Sequence, residues 1–233
     1  MRTYLTRVMM LALLSGGAVA QEATEQGIGL LSKVVVDVTR KPVNQEWVTA
    51  ARGQTLDSGD MVKTGEKSLA VVKFKDNSLL RIRELSLVTL TGTSSAGAFS
   101  KQVQMGGGAI GFSVQKQRPN EEFRFTTPTS VASIRGTMGL FATGDTLDLL
   151  LVTEGIVQLT NRVTNESIDV GAGQAGESTS SGRLAQRPLT DAELQSFREL
   201  FGSTGQGEGT RQLKLQLRNE RGELRELIIE IAE

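Results

Sequence analysis

The sequence predicts an all-β domain followed by one short helix and a C-terminal β-hairpin. Three observations carry this. Runs of five to eight residues with alternating or β-branched apolar character recur at close spacing, with turn residues between them. No apolar period of 3.6 residues is sustained before Leu189. Glycine is abundant, 26 of 233 residues, as suits a chain that turns often.

The first element is an address. Arg2 and Arg7 form a basic start, Val8 to Leu14 is apolar, and Ala18-Val19-Ala20 is a small-x-small cleavage site. This order predicts a cleavable signal peptide over 1–20 and a destination in the periplasm or outside the cell. The chain has no cysteine, so no lipid-modified cysteine anchors it. No apolar run approaches the ~20 residues that cross a bilayer, so no membrane span is expected.

A polar lead-in (21–30) precedes the β domain, read over 31–185. Lys33 to Thr39 is β-branched. Ser68 to Lys75 alternates, with Ala70, Val72 and Phe74 on one face. Asp76-Asn77-Ser78 turns it into Leu79 to Glu84, with Leu80 and Ile82 inward and Arg81 and Arg83 outward. Leu85 to Thr91 reads as a strand and Thr93 to Ser100 as a loop. Ala109 to Gln115, Glu122 to Thr126, Leu147 to Val152, Ile156 to Thr160 and a piece of Val163 to Val170 continue the pattern.

The character changes at Arg187-Pro188, and 186–202 reads as a capped helix. Thr190 and Glu193 have capping-box spacing, Leu189 and Leu194 the staple positions, and Gly202 the stop. Leu194, Phe197 and Phe201 share a face. Residues 203–210 are a glycine-rich linker. In 211–233, Leu213, Leu215 and Leu217 alternate. For the return, Leu227, Ile229 and Ile231 fit a strand, while Leu224, Leu227, Ile228 and Ile231 fit a helix face. The isoleucines and the turn at Asn219 to Gly222 favour the hairpin.

Composition excludes several functions. Without His or Cys there is no Ser-His-Asp or Cys-His catalysis and no zinc, haem or iron–sulfur site of the usual ligands. The reading is therefore no enzyme and no cofactor. Lys+Arg and Asp+Glu balance at 26 each, which gives no pull on nucleic acid. Asp57 and Asp60 read as a turn rather than a calcium site. Glu121, Glu122 and Glu154 lack the aromatic platforms of a glycosidase. Gly106-Gly107-Gly108 lacks a following Lys-Ser/Thr and reads as a loop rather than a phosphate cradle. Trp47 is placed at a core edge.

Six ordered pieces then resemble one family. They are Leu56-Asp57-Ser58-Gly59-Asp60 with Val62-Lys63-Thr64-Gly65; Ala70 to Ser78, with Asn77 where that family usually has glycine; Gly108-Ala109-Ile110 with Phe112; Phe125 to Thr137, similar to "T-P-x-A-x-x-x-V-R-G-T"; Val152-Thr153-Glu154-Gly155-Ile156-Val157; and Gly171-Ala172-Gly173-Gln174. Residues 56–185 thus resemble the FecR domain family. The resemblance implies short strands in a solenoid-like stack, an extracytoplasmic place and a non-enzymatic role. In that family's full-length regulators the domain follows a cytoplasmic sigma-factor-binding segment and one membrane helix. Neither is read here, so the resemblance covers the periplasmic module.

The signature residues Thr127, Pro128, Arg135, Gly136, Thr137, Glu154 and Gly155 are read as fold elements, with Arg135 buried against turn carbonyls and Gly136 supplying a permissive backbone. The expectation is an exported protein-binding module, regulatory or sensory. The alternative is a secreted structural or adhesion component of the envelope. The face of Leu213, Leu215, Leu217, Leu227, Ile229 and Ile231 is the candidate interaction arm, for a protein partner or a second copy. Cleavage after Ala20 is expected to leave Gln21 as the first residue in an intact-mass measurement of the periplasmic fraction. A cytosolic form that keeps Met1 overturns it.

Overall fold

The computed structural model describes residues 26–95, 98–202, 211–218 and 224–231, the last two as backbone only. The signal-peptide and linker readings lie outside the described residues. The all-β expectation holds. Seventeen strands form two ladders, here sheet A and sheet B, which share one long strand.

The chain enters sheet A as β1 (Gly29–Val35) and crosses to sheet B as β2 (Val38–Lys41) and β3 (Val48–Thr49). It touches A again as β4 (Thr55–Leu56) and returns to B as β5 (Met61–Thr64). A hairpin in A, β6 (Leu69–Phe74) and β7 (Leu79–Ile82), is followed by β8 (Leu87–Ser95) in B. Strand β9 (Ala98–Val114) begins in B beside β8 and ends in A beside β7. Hairpins then alternate. They are β10 (Phe123–Thr126) with β11 (Ser130–Ile134) in B, and β12 (Thr137–Thr143) with β13 (Leu147–Glu154) in A. Next come β14 (Ile156–Asn161) with β15 (Ser167–Gly171) in B, and β16 (Gln174–Thr179) with β17 (Leu184–Pro188) in A. Helix α1 (Asp191–Gly202) and a separate hairpin, β18 (Arg211–Arg218) and β19 (Leu224–Ile231), complete the order. Among these ladders β9–β10 is the one parallel pair.

The inner faces build one core. Leu31, Val72, Leu80, Phe112, Phe141 and Val152 from sheet A meet Val62, Val88, Leu90, Val103, Phe123, Phe125 and Val157 from sheet B in a single buried cluster. Phenylalanines stitch the two together edge to face. Phe74 lies 5.2 Å from Phe123, and Phe112 lies 5.0 Å from Phe125. Such pairs add to the burial of large apolar area.

The two halves of the sandwich close at opposite ends. In the first half most crossings between sheets lie at one end, near Val36, Gly65, Leu85 and Gly108, while the β4–β5 link crosses at the other. At the first of these ends the Gly65 N–H donates to Asp37 O and the Leu85 N–H to Gly65 O. In the second half the chain crosses at the other end, near Gly136, Gly155 and Gly173. The register sets this geometry, because Thr143 pairs Gly108 whereas Thr137 pairs Val114. The second half therefore has one end without a covalent crossing, and buried polar groups close it. In the second half, Asp148 of sheet A accepts from Thr127 Oγ1 at 2.5 Å and from Thr129 Oγ1, both of the β10–β11 turn in sheet B. Asn161 Nδ2 of sheet B donates to Ser178 Oγ at 2.8 Å and to Thr179 O at 2.9 Å in sheet A. In the first half, Lys101 of sheet B meets Asp76 of the β6–β7 turn at 2.9 Å.

Several sequence expectations are corrected. The strand run over Lys33 to Thr39 is broken at Val36, whose φ is 60°, because the chain changes sheets there. Ile28 is fully buried and β1 starts at Gly29, so the lead-in is shorter than 21–30. Strand β17 reaches Pro188, past the boundary at 185, because Ala175 and Gln174 offer it partners. Thr93 to Ser100 is not a loop, since β8 runs to Ser95 and β9 starts at Ala98. Small polar residues hid that alternation. Gly106-Gly107-Gly108 lies inside β9 rather than in a loop. Trp47 is 39% exposed, beside exposed Val43 and Val48. Arg83 does not point to solvent. It is 5% exposed, and burial pulls its guanidinium down to about 10.

Asp148→Ala is expected to cost about 2–4 kcal/mol, because it removes the acceptor that two buried hydroxyls share. Chemical denaturation measures it, with exposed Asp145→Ala, on the β12–β13 turn, as the near-neutral control.

Candidate interaction site

The structure splits the signature residues between the two ends of the sandwich. Thr127 and Pro128 form the β10–β11 turn. Thr127 is buried, and its Oγ1 also accepts from the Ser130 N–H at 2.8 Å. Pro128 is exposed. Arg135, Gly136 and Thr137 lie at the other end, with Glu154 and Gly155. The two motifs meet there. A Cβ on Gly155, where φ is +80°, would stand 2.4 Å from Thr137 Cγ2 and 2.6 Å from Gly136 O. Only glycine fits that crossing. Gly136 also has positive φ, +69°, but its nearest neighbour would be 3.4 Å away.

Arg135 corrects the sequence reading. It is exposed rather than buried against carbonyls. Arg162, itself exposed, reaches a turn carbonyl instead, donating from Nη1 to Thr127 O at 2.9 Å. Nothing in the local pattern marks Arg162, because it follows a strand in a different hairpin. Arg135, Glu154 and Ile156 are all exposed, on the second-half crossings.

Helix α1 is fastened to the outer face of sheet A. The capping box forms as the spacing predicts. Thr190 N donates to Glu193 Oε2 at 2.9 Å, and Glu193 N donates to Thr190 Oγ1 at 3.2 Å. The sequence reading missed Arg187 as the other half of this latch. Its two Nη groups donate to both Glu193 oxygens at 2.8 and 3.0 Å, while Nε donates to Glu177 Oε1 at 2.9 Å. Phe197 then packs in a second apolar cluster with Ala109, Leu140, Ala142, Leu149, Leu151 and Ala175. Burial works against the charge on Glu193, which is 3% exposed, but hydrogen bonds from Arg187 and Thr190 outweigh it. Its carboxyl is held below the usual carboxylate value.

The hairpin resolves the strand-or-helix alternative in favour of strand. Its register pairs Leu213 with Ile229 and Leu215 with Leu227. Directly paired residues share a face, so Leu213, Leu215, Leu217, Leu227, Ile229 and Ile231 fall on one side.

Among the described residues, no group of three or more His, Cys, Asp or Glu is placed to hold a metal ion. No described helix is long and apolar enough to cross a membrane.

Residues 60–158 match the family model described as FecR protein. This stretch is similar to a FecR domain. It runs from the turn before β5 into β14, and leaves α1 and the hairpin outside the match. Two crystal structures of a candidate anti-sigma factor from Parabacteroides distasonis ATCC 8503, at 1.65 and 2.50 Å resolution, share the fold. They have a TM-score of 0.50 each, at 13% and 11% identity. In each case 59% of this chain is covered and 63% of that protein, so the likeness spans less than two thirds of its length. No curated protein matches the sequence.

Two expectations follow for the FecR-like domain and its latch. Gly155→Ala is expected to destabilise more than Gly136→Ala by about 1–3 kcal/mol. Both pay for a left-handed backbone, but only the first adds overlap with Thr137. Denaturation midpoints of the pair decide it. Acid should also weaken the fold. Asp76 and Glu193 both have lowered folded pKa values. Their contribution is therefore complete above the unfolded value near ~4 and is lost as pH falls through the folded values below it. Glu193→Gln is expected to flatten the acid limb of a stability–pH curve, and an unchanged limb contradicts the latch.

Proposed function

We propose that this protein is an exported, non-enzymatic FecR-like module that binds another protein in the periplasm as part of a regulatory or sensory device. The observation that carries this reading is the FecR match over residues 60–158. The fold shared with a candidate anti-sigma factor is in keeping with it. Three of the signature residues are occupied with holding the sandwich together: Thr127 ties down a turn, and Gly155 packs on Thr137. Recognition then falls to what the fold leaves at the surface.

The hairpin is the arm in this reading. Two strands alone are marginal in water, and the apolar side of Leu213, Leu215, Leu217, Leu227, Ile229 and Ile231 gains by being covered. A protein partner or a second copy can supply that cover through strand pairing. The test is truncation after Gly202. The shortened protein is expected to keep its denaturation midpoint within about 0.5 kcal/mol, the range of changes that touch no core. It should lose both the partner cross-linked in periplasm and any dimer. A truncated form that keeps partner and oligomeric state sinks the arm. Unchanged transcript levels in a strain lacking the protein would count against the regulatory role.

A further inference from the structure

The polar group at the β6–β7 turn has an arrangement that a simple ion pair does not need. Lys101 stands on β9 in sheet B with its side chain 2% exposed, and its Nζ lies 2.9 Å from Asp76 Oδ2. Gln117, 3% exposed, follows β9 in the loop toward β10. Its Nε2 lies 3.0 Å from the same Asp76 oxygen and 2.8 Å from Gln115 O. The rings of Phe99 and Phe123 stand 5.2 and 5.5 Å from Nζ. One carboxylate oxygen thus touches an amine and a primary amide nitrogen together, inside a site walled by aromatic rings.

We propose that Lys101 and Gln117 become joined by an intramolecular isopeptide bond, with Asp76 carrying the protons. Asp76 Oδ2 first takes a proton from the Lys101 ammonium. The freed Nζ lone pair attacks Gln117 Cδ, and the Nζ–Cδ bond forms. Asp76 then gives its proton to Nε2 and takes a second proton from Nζ. The Cδ–Nε2 bond breaks and ammonia leaves, accepting that last proton as ammonium. No oxidant or further reactant enters.

Three observations favour the amide over the carboxylate as the group attacked. Asp76 sits between the other two, where a proton carrier belongs. Burial raises its carboxyl, but hydrogen bonds from Gln117, Lys101 and Ser78 outweigh that and keep it ionised, and a carboxylate is a poor electrophile. Gln117 Oε1 is buried with no hydrogen-bond partner, so its carbonyl is not committed elsewhere. Folding supplies the proximity that makes such a reaction effectively unimolecular. Asp76 keeps 25% side-chain exposure, which gives ammonia a way out. The product replaces a buried ammonium, costly to hold in apolar surroundings, by a neutral amide. In a chain without cysteine it also fastens the region around β9 covalently.

Intact-mass analysis of the purified, folded full chain tests this. The wild type is expected to be lighter than its sequence by one ammonia, and a protease digest should contain one branched peptide linking Lys101 to Gln117. Because an N-terminal glutamine also sheds ammonia, the deficit must map to that peptide. Lys101→Arg and Asp76→Asn are each expected to show no branched peptide. A wild type without the branched peptide overturns the proposal, whatever the variants do. Loss of one water, with Lys101 linked to Asp76, overturns it as well. A branched peptide formed as fully in Asp76→Asn as in wild type removes the role of Asp76.

Discussion

The sharing of β9 between two sheets is the constraint on which the rest of the molecule depends. A strand of 17 residues cannot stay flat across a sandwich. It bends where Gly108 takes φ +91°. Ser86 lies directly beneath that bend. A Cβ on Gly108 would stand 2.2 Å from Ser86 Oγ and 2.6 Å from its Cα. The same hydroxyl accepts from the Ala109 N–H at 3.0 Å and reaches Ala109 O at 3.2 Å. A serine thus stands in for the ladder bonds that the bend interrupts. Before β9 most crossings between sheets lie at one end, and after it they lie at the other.

That switch decides where the buried polar residues lie. A sandwich whose chain crosses at one end is open at the other, and an apolar core open to water loses burial. Asp148 with Thr127 and Thr129, and Asn161 with Ser178, stand at the open end of the second half, and Asp76 with Lys101 and Gln117 stands by the β6–β7 turn of the first. Each group joins residues of different sheets or of distant hairpins. Such groups specify how the sheets align more than they add stability, since desolvation offsets much of their attraction.

The outer faces of the two sheets differ in kind. Sheet A carries Leu140, Leu149 and Leu151 outward, all buried, and α1 lies on them. Sheet B turns Thr89, Gln104, Thr126 and Thr160 outward, in register across its strands. A helix latched by Arg187 and Glu193 converts an apolar face into core. The C-terminal segment is therefore an integral part of the domain up to α1, and the hairpin follows from that anchored point.

Composition and alternation alone determined the all-β class, the inward Leu80, Ile82, Phe123 and Phe125, the capped helix at Thr190 and the FecR resemblance. Each depends on residues close in sequence, where period and turn chemistry act directly. The tertiary structure alone decided the rest. Leu85 reads as strand and Gly107 as loop until the crossings are seen, because a change of sheet leaves no period of its own. Arg162 rather than Arg135 reaches a carbonyl of the β10–β11 turn because that carbonyl lies nearer in space to the end of β14 than to the signature that follows it. Arg187 reads only as the point where the chain changes character until Glu177 and Glu193 close on it from a strand and a helix. Asp76, Lys101 and Gln117 look like a turn acid, a strand lysine and a loop amide. They become one site only because the bend in β9 folds the loop after it back onto the β6–β7 turn.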